Sequence, residues 1–198
     1  LILPYKNGYL STVCCDIAYY KNIEFQCDQV NYDKKWYPHA KGGSYRKWYG
    51  NYEYVVNWLF NGRDIREATK DAKGGSIVGS ECYFHRGLSW SLSTFSNKFS
   101  MRILPGNFIF NVEAPALFDV KNEEYFLALL NSKVGEVFLD IISDHLHYKK
   151  NDIGSVPYIY SDKSESRIDE IVIGTVKNSK SDWDSFETSW DFKKHPLI

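Results

Sequence analysis

Residues Asn122–Ser143 constrain the fold more than any other stretch. Tyr125, Phe126, Leu129, Leu130, Val134, Val137, Phe138, Ile141 and Ile142 recur at i, i+3, i+4 spacing, which places them on one stripe of an α-helix. Asn122 can cap the first turn, and Glu123 and Glu124 complement the positive end of the helix dipole. A stripe this wide needs a flat apolar partner. Gly135 costs about 1 kcal/mol against Ala inside a helix, which predicts close packing there, read as helix against sheet.

The strands to supply that sheet lie mostly upstream. In "LSWSLSTF" (88–95), Leu88, Trp90 and Leu92 alternate with Ser89, Ser91 and Ser93, the period of a half-buried strand. "FSMRI" (99–103), the turn at Pro105-Gly106 and "NFIFNV" (107–112) read as a hairpin within an antiparallel meander. Further strands are expected at 9–15, 23–30 and Glu53–Leu59, with a helical turn around Asp64–Ala72 closed by Gly74-Gly75. After His145–Lys150, "DIGSVPYIY" reads as extended. From Ser161 the texture becomes helical. Ile168, Ile171, Val172 and Val176 stripe one helix, and Trp183, Phe186 and Trp190 a second, with Ser181 and Asp184 as its capping box. The expected fold class is α+β: a mostly antiparallel twisted sheet with one long packing helix. Residues 1–160 form the domain and 161–198 an attached helical appendage.

Net charge is -1 over 198 residues, so no global basic field announces a nucleic-acid partner. Charge is local instead. Lys34–Asn51, "KKWYPHAKGGSYRKWYGN", sets Lys34, Lys35, Lys41, Arg46 and Lys47 among Trp36, Tyr37, Tyr45, Trp48 and Tyr49, around Gly42-Gly43. Cations of this kind pair with phosphate and rings stack on bases; the same rings can simply anchor a loop to the core, rimmed by solvated lysines. Cys14, Cys15, Cys27 and Cys82 show no CxxC pair, so reduced, buried cysteines of a cytoplasmic protein are expected. No apolar run approaches the ~18 residues of a membrane span. The chain begins without Met, as an excised piece of something longer would.

Chemical motifs are scarce. GxGxxG, GxxxxGK and GxSxG are all absent. His145-x-His147 reads as two surface histidines, without a carboxylate or Cys ligand spaced beside them. Asp16 and Glu24, with Gln26 where a nuclease would carry lysine, make a weak metal-nuclease pattern.

Several stretches together resemble one family. "KWYPHAKGGSYRKWYGNYEYVVNW" (35–58), "CYFHRGLSWSLSTFSNKFSMRILPGNFIFN" (82–111), "YFLALLNSKVGEVFLDII" (125–142) with "NDIGSVPYIY" behind it, and "DWDSFETSWDFKKHPLI" (182–198) are similar to the target-recognition region of large adenine-specific DNA methyltransferases of the bacteriophage-exclusion (BREX) type. The resemblance implies a sequence-specific reader of double-stranded DNA. Its partner is a catalytic domain of the same parent chain that uses S-adenosylmethionine. That family's Asn-Pro-Pro-aromatic signature is missing, since the six prolines (4, 38, 105, 115, 157, 196) are never adjacent. No methyl transfer and no cofactor is therefore expected of this chain itself. On this reading Lys41, Arg46 and Lys47 position phosphates, and Ser44, Tyr45 or Asn51 approach base edges. Arg86 and Arg102 form a second candidate surface, unless Arg102 is a solvated strand residue beside a core Trp90. A protein-interaction module of a defence complex is the alternative of a different class.

Overall fold

The computed structural model describes residues 12–13 (backbone), 34–71 and 77–197. The expected strand at 23–30, the Gly74-Gly75 turn, Asp16, Glu24 and Gln26 lie outside the described residues. The fold is α+β, and its layers follow from side-chain alternation. One sheet runs in the order β1 (Thr12–Val13), β7 (Ala116–Phe118), β4 (Gly87–Trp90), β5 (Met101–Leu104), all antiparallel. A second runs β3 (Tyr54–Asn57), β2 (Trp36–Ala40), β6 (Ile109–Phe110), with β2 antiparallel to β3 and parallel to β6.

Successive strand residues point to opposite faces. Leu88, Trp90, Met101, Ile103 and Leu117 face the helices, and pack with Phe126, Leu127, Leu130 and Leu139. Leu104, Ala116 and Phe118 face the other way, into a cluster with Tyr37, Tyr52, Phe108 and Phe110 of the second sheet and its flanks. The first sheet is thus the middle layer. This overturns the half-buried reading of 88–95: Ser89 and Ser91 are buried too, because both faces are covered. It also overturns the hairpin across Pro105-Gly106. β5 pairs with β4 while β6 crosses to the second sheet beside β2.

The long helix is two helices, α2 (Glu123–Asn131) and α3 (Lys133–Ile142). Ser132 breaks it with an extended backbone; its hydroxyl donates to Leu129 O at 2.7 Å and accepts from the Gly135 N–H at 3.1 Å, capping α3. A Cβ at Gly135 would lie 2.3 Å from Leu129 O, so the close approach is to the end of α2 rather than to the sheet. The break resets the helical phase. Leu139, outside the expected stripe, is fully buried, whereas Val134, Val137 and Ile141 are exposed. Asn122 does not cap α2; its amide reaches Tyr160 and Glu165 and ties α2 to the downstream helix.

α1 (Leu59–Thr69) opens with left-handed backbone at Phe60–Gly62. The stretch read as extended begins with a short helix, α4 (Lys150–Ser155). Downstream there is one helix, α5 (Asp162–Trp183), where two were expected; Ser181 lies inside it and caps nothing. Its Ile168, Val172 and Val176 pack into the helix-side core, so α5 is built into the fold rather than attached to it. Trp183 is buried, while Phe186 and Trp190 remain 50% and 64% exposed in the turns that follow. Cys82 is buried, and the other three cysteines lie outside the described residues. Among the described residues no helix is long and apolar enough to cross a membrane.

Candidate nucleic-acid interface

The aromatic-basic segment forms β2 and then a loop, residues 41–53, that returns to β3. This loop is held from inside. Gly42 (φ 78) packs where a Cβ would sit 2.5 Å from Glu113 O. The Gly43 carbonyl accepts from Ser91 Oγ at 3.0 Å, and Ser91 in turn accepts from Arg102 Nη2 at 2.7 Å. Asn51 Nδ2 donates to Ser44 O at 2.8 Å. Beyond that, Trp48 runs alongside β5: its N–H donates to Met101 O at 2.9 Å, and Ile103 N–H donates to Trp48 O at 3.0 Å. The loop therefore completes the edge of the middle sheet. Asn131, buried at the end of α2, brackets the same strand, accepting from Met101 N–H at 3.0 Å and donating to Met101 O at 2.9 Å.

The eight residues expected to meet DNA divide into three groups. Lys41, Ser44 and Tyr45 are exposed. Lys47 joins them at the surface in part, donating through Nζ to Asn131 O at 2.7 Å while lying 5.7 Å from the Tyr45 ring centroid. Arg46, Asn51 and Arg102 are committed to internal contacts instead. Arg46 Nε donates to Tyr49 O at 3.0 Å, Nη2 meets Asp182 Oδ2 at 2.5 Å, and the guanidinium lies 5.0 Å over Trp183. Asn51 and Arg102 are only 6% and 2% exposed. Arg102 is neither a solvated strand residue nor within reach of an external phosphate, because it alternates with Met101 and Ile103 and so points between the sheets. Arg86 is exposed but sits at the opposite end of β4, paired with Glu123 at 3.3 Å and Glu124 at 3.6 Å.

Two cations absent from the expectation join the surface group. Lys98 Nζ lies 5.9 Å from the Tyr45 ring, and the Lys133 side chain is 91% exposed, donating to Glu136 at 2.8 Å. Lys47, Lys98 and Lys133 all act on that one carboxylate: the Lys133 hydrogen bond, with the charges of Lys47 and Lys98 added, holds the Glu136 carboxyl below its usual range. Three cations and one anion around a half-exposed ring leave a positive lip. The sequence placed Lys98 three residues beyond a serine-rich stretch and Lys133 in a helix, with nothing to show that both come to Glu136 beside Tyr45.

Elsewhere, His145 and His147 are exposed beside Asp140 and Asp144 at 3.7 and 3.5 Å. Among the described residues no three His, Cys, Asp or Glu side chains gather as a metal site. An open groove of about 540 Å³ is lined by Arg46, Trp183, Phe186, Phe192 and His195.

No family model matches the chain. Individual sequences do, and by them the chain is similar to a segment of adenine-specific methyltransferases. It is 32% identical over 170 residues to the adenine-specific methyltransferase BrxX of Escherichia coli O9:H4 (strain HS), covering 84% of this chain and 13% of that protein. It is also 32% identical over 176 residues to the adenine-specific methyltransferase PglX of Lacticaseibacillus casei (strain Zhang), covering 86% of this chain and 14% of that one. The chain thus spans about one-seventh of the length of these relatives.

Proposed function

We propose that this chain reads the sequence of double-stranded DNA for an adenine-specific methyltransferase of a phage-defence system. The observation that carries the reading is the convergence of Lys47, Lys98 and Lys133 on Glu136, the first two beside the Tyr45 ring, with Lys41 and Ser44 exposed on the same loop. Lysines fix a duplex by its phosphates, and a ring and a hydroxyl held among them are placed to meet bases. A net charge of -1 keeps binding to arbitrary DNA weak. Neither an Asn-Pro-Pro-aromatic motif nor a glycine-containing cofactor loop occurs in the sequence. The reading therefore assigns S-adenosylmethionine and the methyl transfer to the catalytic domain of the parent. The outward Val134, Val137 and Ile141 of α3, with Phe186 and Trp190, favour an additional protein contact, for which that catalytic domain is the natural partner.

The test exchanges this segment between two full-length relatives that modify different sites, followed by sequencing of the modified adenines. The site is expected to move with the segment. A site that stays with the recipient overturns the proposal.

A further inference from the structure

Phe95 is the most exposed large apolar side chain among the described residues, at 105%. A loose loop would fold such a ring back onto the protein. This one is pinned. Thr94 is buried, its N–H donates to Leu146 O at 3.0 Å, and its hydroxyl accepts from the Ser96 N–H at 3.2 Å. Asn97 turns the chain with a left-handed backbone (φ 52), and Phe99 anchors the far side, its ring 5.1 Å from that of buried Tyr148. Phe95 is left standing at the tip, with no internal contact to gain by its apolarity.

The surroundings select its partner. Lys98, three residues on, reaches Tyr45, which links the tip to the lip formed with Lys47 and Lys133. On the other flank Thr94 is bonded to the strand-like segment holding exposed Leu146 and His147, the latter bridged to Ser93. Glu113 accepts from Ser93 Oγ at 3.1 Å, and Asp144 is occupied by the backbone N–H groups of Leu146 and His147 and by Lys149. An apolar tip beside a cationic lip matches a polyanion with an apolar interior. We infer that Phe95 is a wedge: when the lip grips the phosphates of a duplex, the ring enters between stacked base pairs and opens that step. Proteins that kink or unstack duplex DNA insert side chains of this kind, and chemistry on a base requires that it leave the stack. The inference rests on the DNA reading above.

The experiment measures binding of short mixed-sequence duplexes, with 2-aminopurine replacing part of the adenine, across a salt series. The variants are Phe95→Ala, Phe95→Trp and the double Lys98→Ala, Lys133→Ala. Phe95→Ala is expected to weaken binding about tenfold or more, with an unchanged salt slope, an unchanged melting temperature and loss of the 2-aminopurine fluorescence rise that marks unstacking. Phe95→Trp retains that rise. The double lysine variant lowers the magnitude of the salt slope by about 2. If Phe95→Ala binds and unstacks as the parent chain does while the lysine variant loses slope, the wedge is wrong and the DNA reading stands. If the unsubstituted chain binds no duplex, and Phe95→Ala instead abolishes binding to the parent's catalytic domain, both fail.

Discussion

Removing the Arg46 guanidinium separates structural from DNA-binding use of the basic loop. The Arg46 side chain is only 24% exposed, and its charged Nε donates to the backbone carbonyl of Tyr49; such bonds contribute about 1.5 kcal/mol at the low end of their range. Asp182 is 61% exposed, so the ion pair adds no more than about 0.5 kcal/mol. Stacking over Trp183 at 5.0 Å adds about 0.5–1 kcal/mol. Arg46→Ala should therefore destabilise the fold by about 2–3 kcal/mol, a fall in melting temperature of about 5–10 °C for a chain of this length. Arg46→Lys, which keeps the charge and loses the fork, should recover only part of this. Circular dichroism melts give the stability, and duplex titration of the same folded samples below their transitions gives the affinity. A variant that melts within about 1 °C of the parent chain but loses duplex affinity would refute this account and return Arg46 to the phosphates.

Asn131→Ala removes the side-chain acceptor of the Met101 N–H, leaving that buried donor unpaired among the described residues while Trp48 still serves Met101 O; urea denaturation should show a loss of about 2–4 kcal/mol, and a change under about 0.5 kcal/mol would dismiss the bracket. His39 carries a pKa lowered from its ordinary value of 6.5 by burial first and by Lys41 second, so the fold disfavours its protonated form. Stability attributable to His39 is complete above that value and declines as pH falls below it, until the lowered pKa is passed. His39→Gln should flatten this part of the stability–pH curve, and an identical curve would refute the assignment.

What the sequence made legible was whatever depends on near neighbours. The period of Leu88 and Trp90 marked β4, and the apolar recurrence after Asn122 marked a helical stretch. The parts that escaped depend on distant partners or on small phase changes. Arg46 and Asp182 are 136 residues apart, so a half-buried staple looked like a free surface cation. Arg102 is one residue from two core positions, and only the second sheet's presence turns its face inward. A single serine at 132 rotated half an apolar stripe to the outside. Pro105-Gly106 fits a hairpin and a crossover between sheets equally well, and the choice fell to β2. At the candidate interface, Lys41, Ser44, Tyr45 and Lys47 were readable as one run, whereas Lys98 and Lys133 arrive from separate elements.

The chain of bonds from Arg102 through Ser91 to the Gly43 carbonyl lies wholly beneath the loop it supports. On the proposed reading, mount and message are different residues. A retargeting library could randomise Lys41, Ser44, Tyr45 and Lys98 while sparing Gly42, Asn51, Ser91 and Arg102, so that new preferences are sampled on an unyielding chassis. If the chain reads DNA as proposed, evolution faces the same economy: outward residues can be exchanged to follow a changing target at little risk to folding.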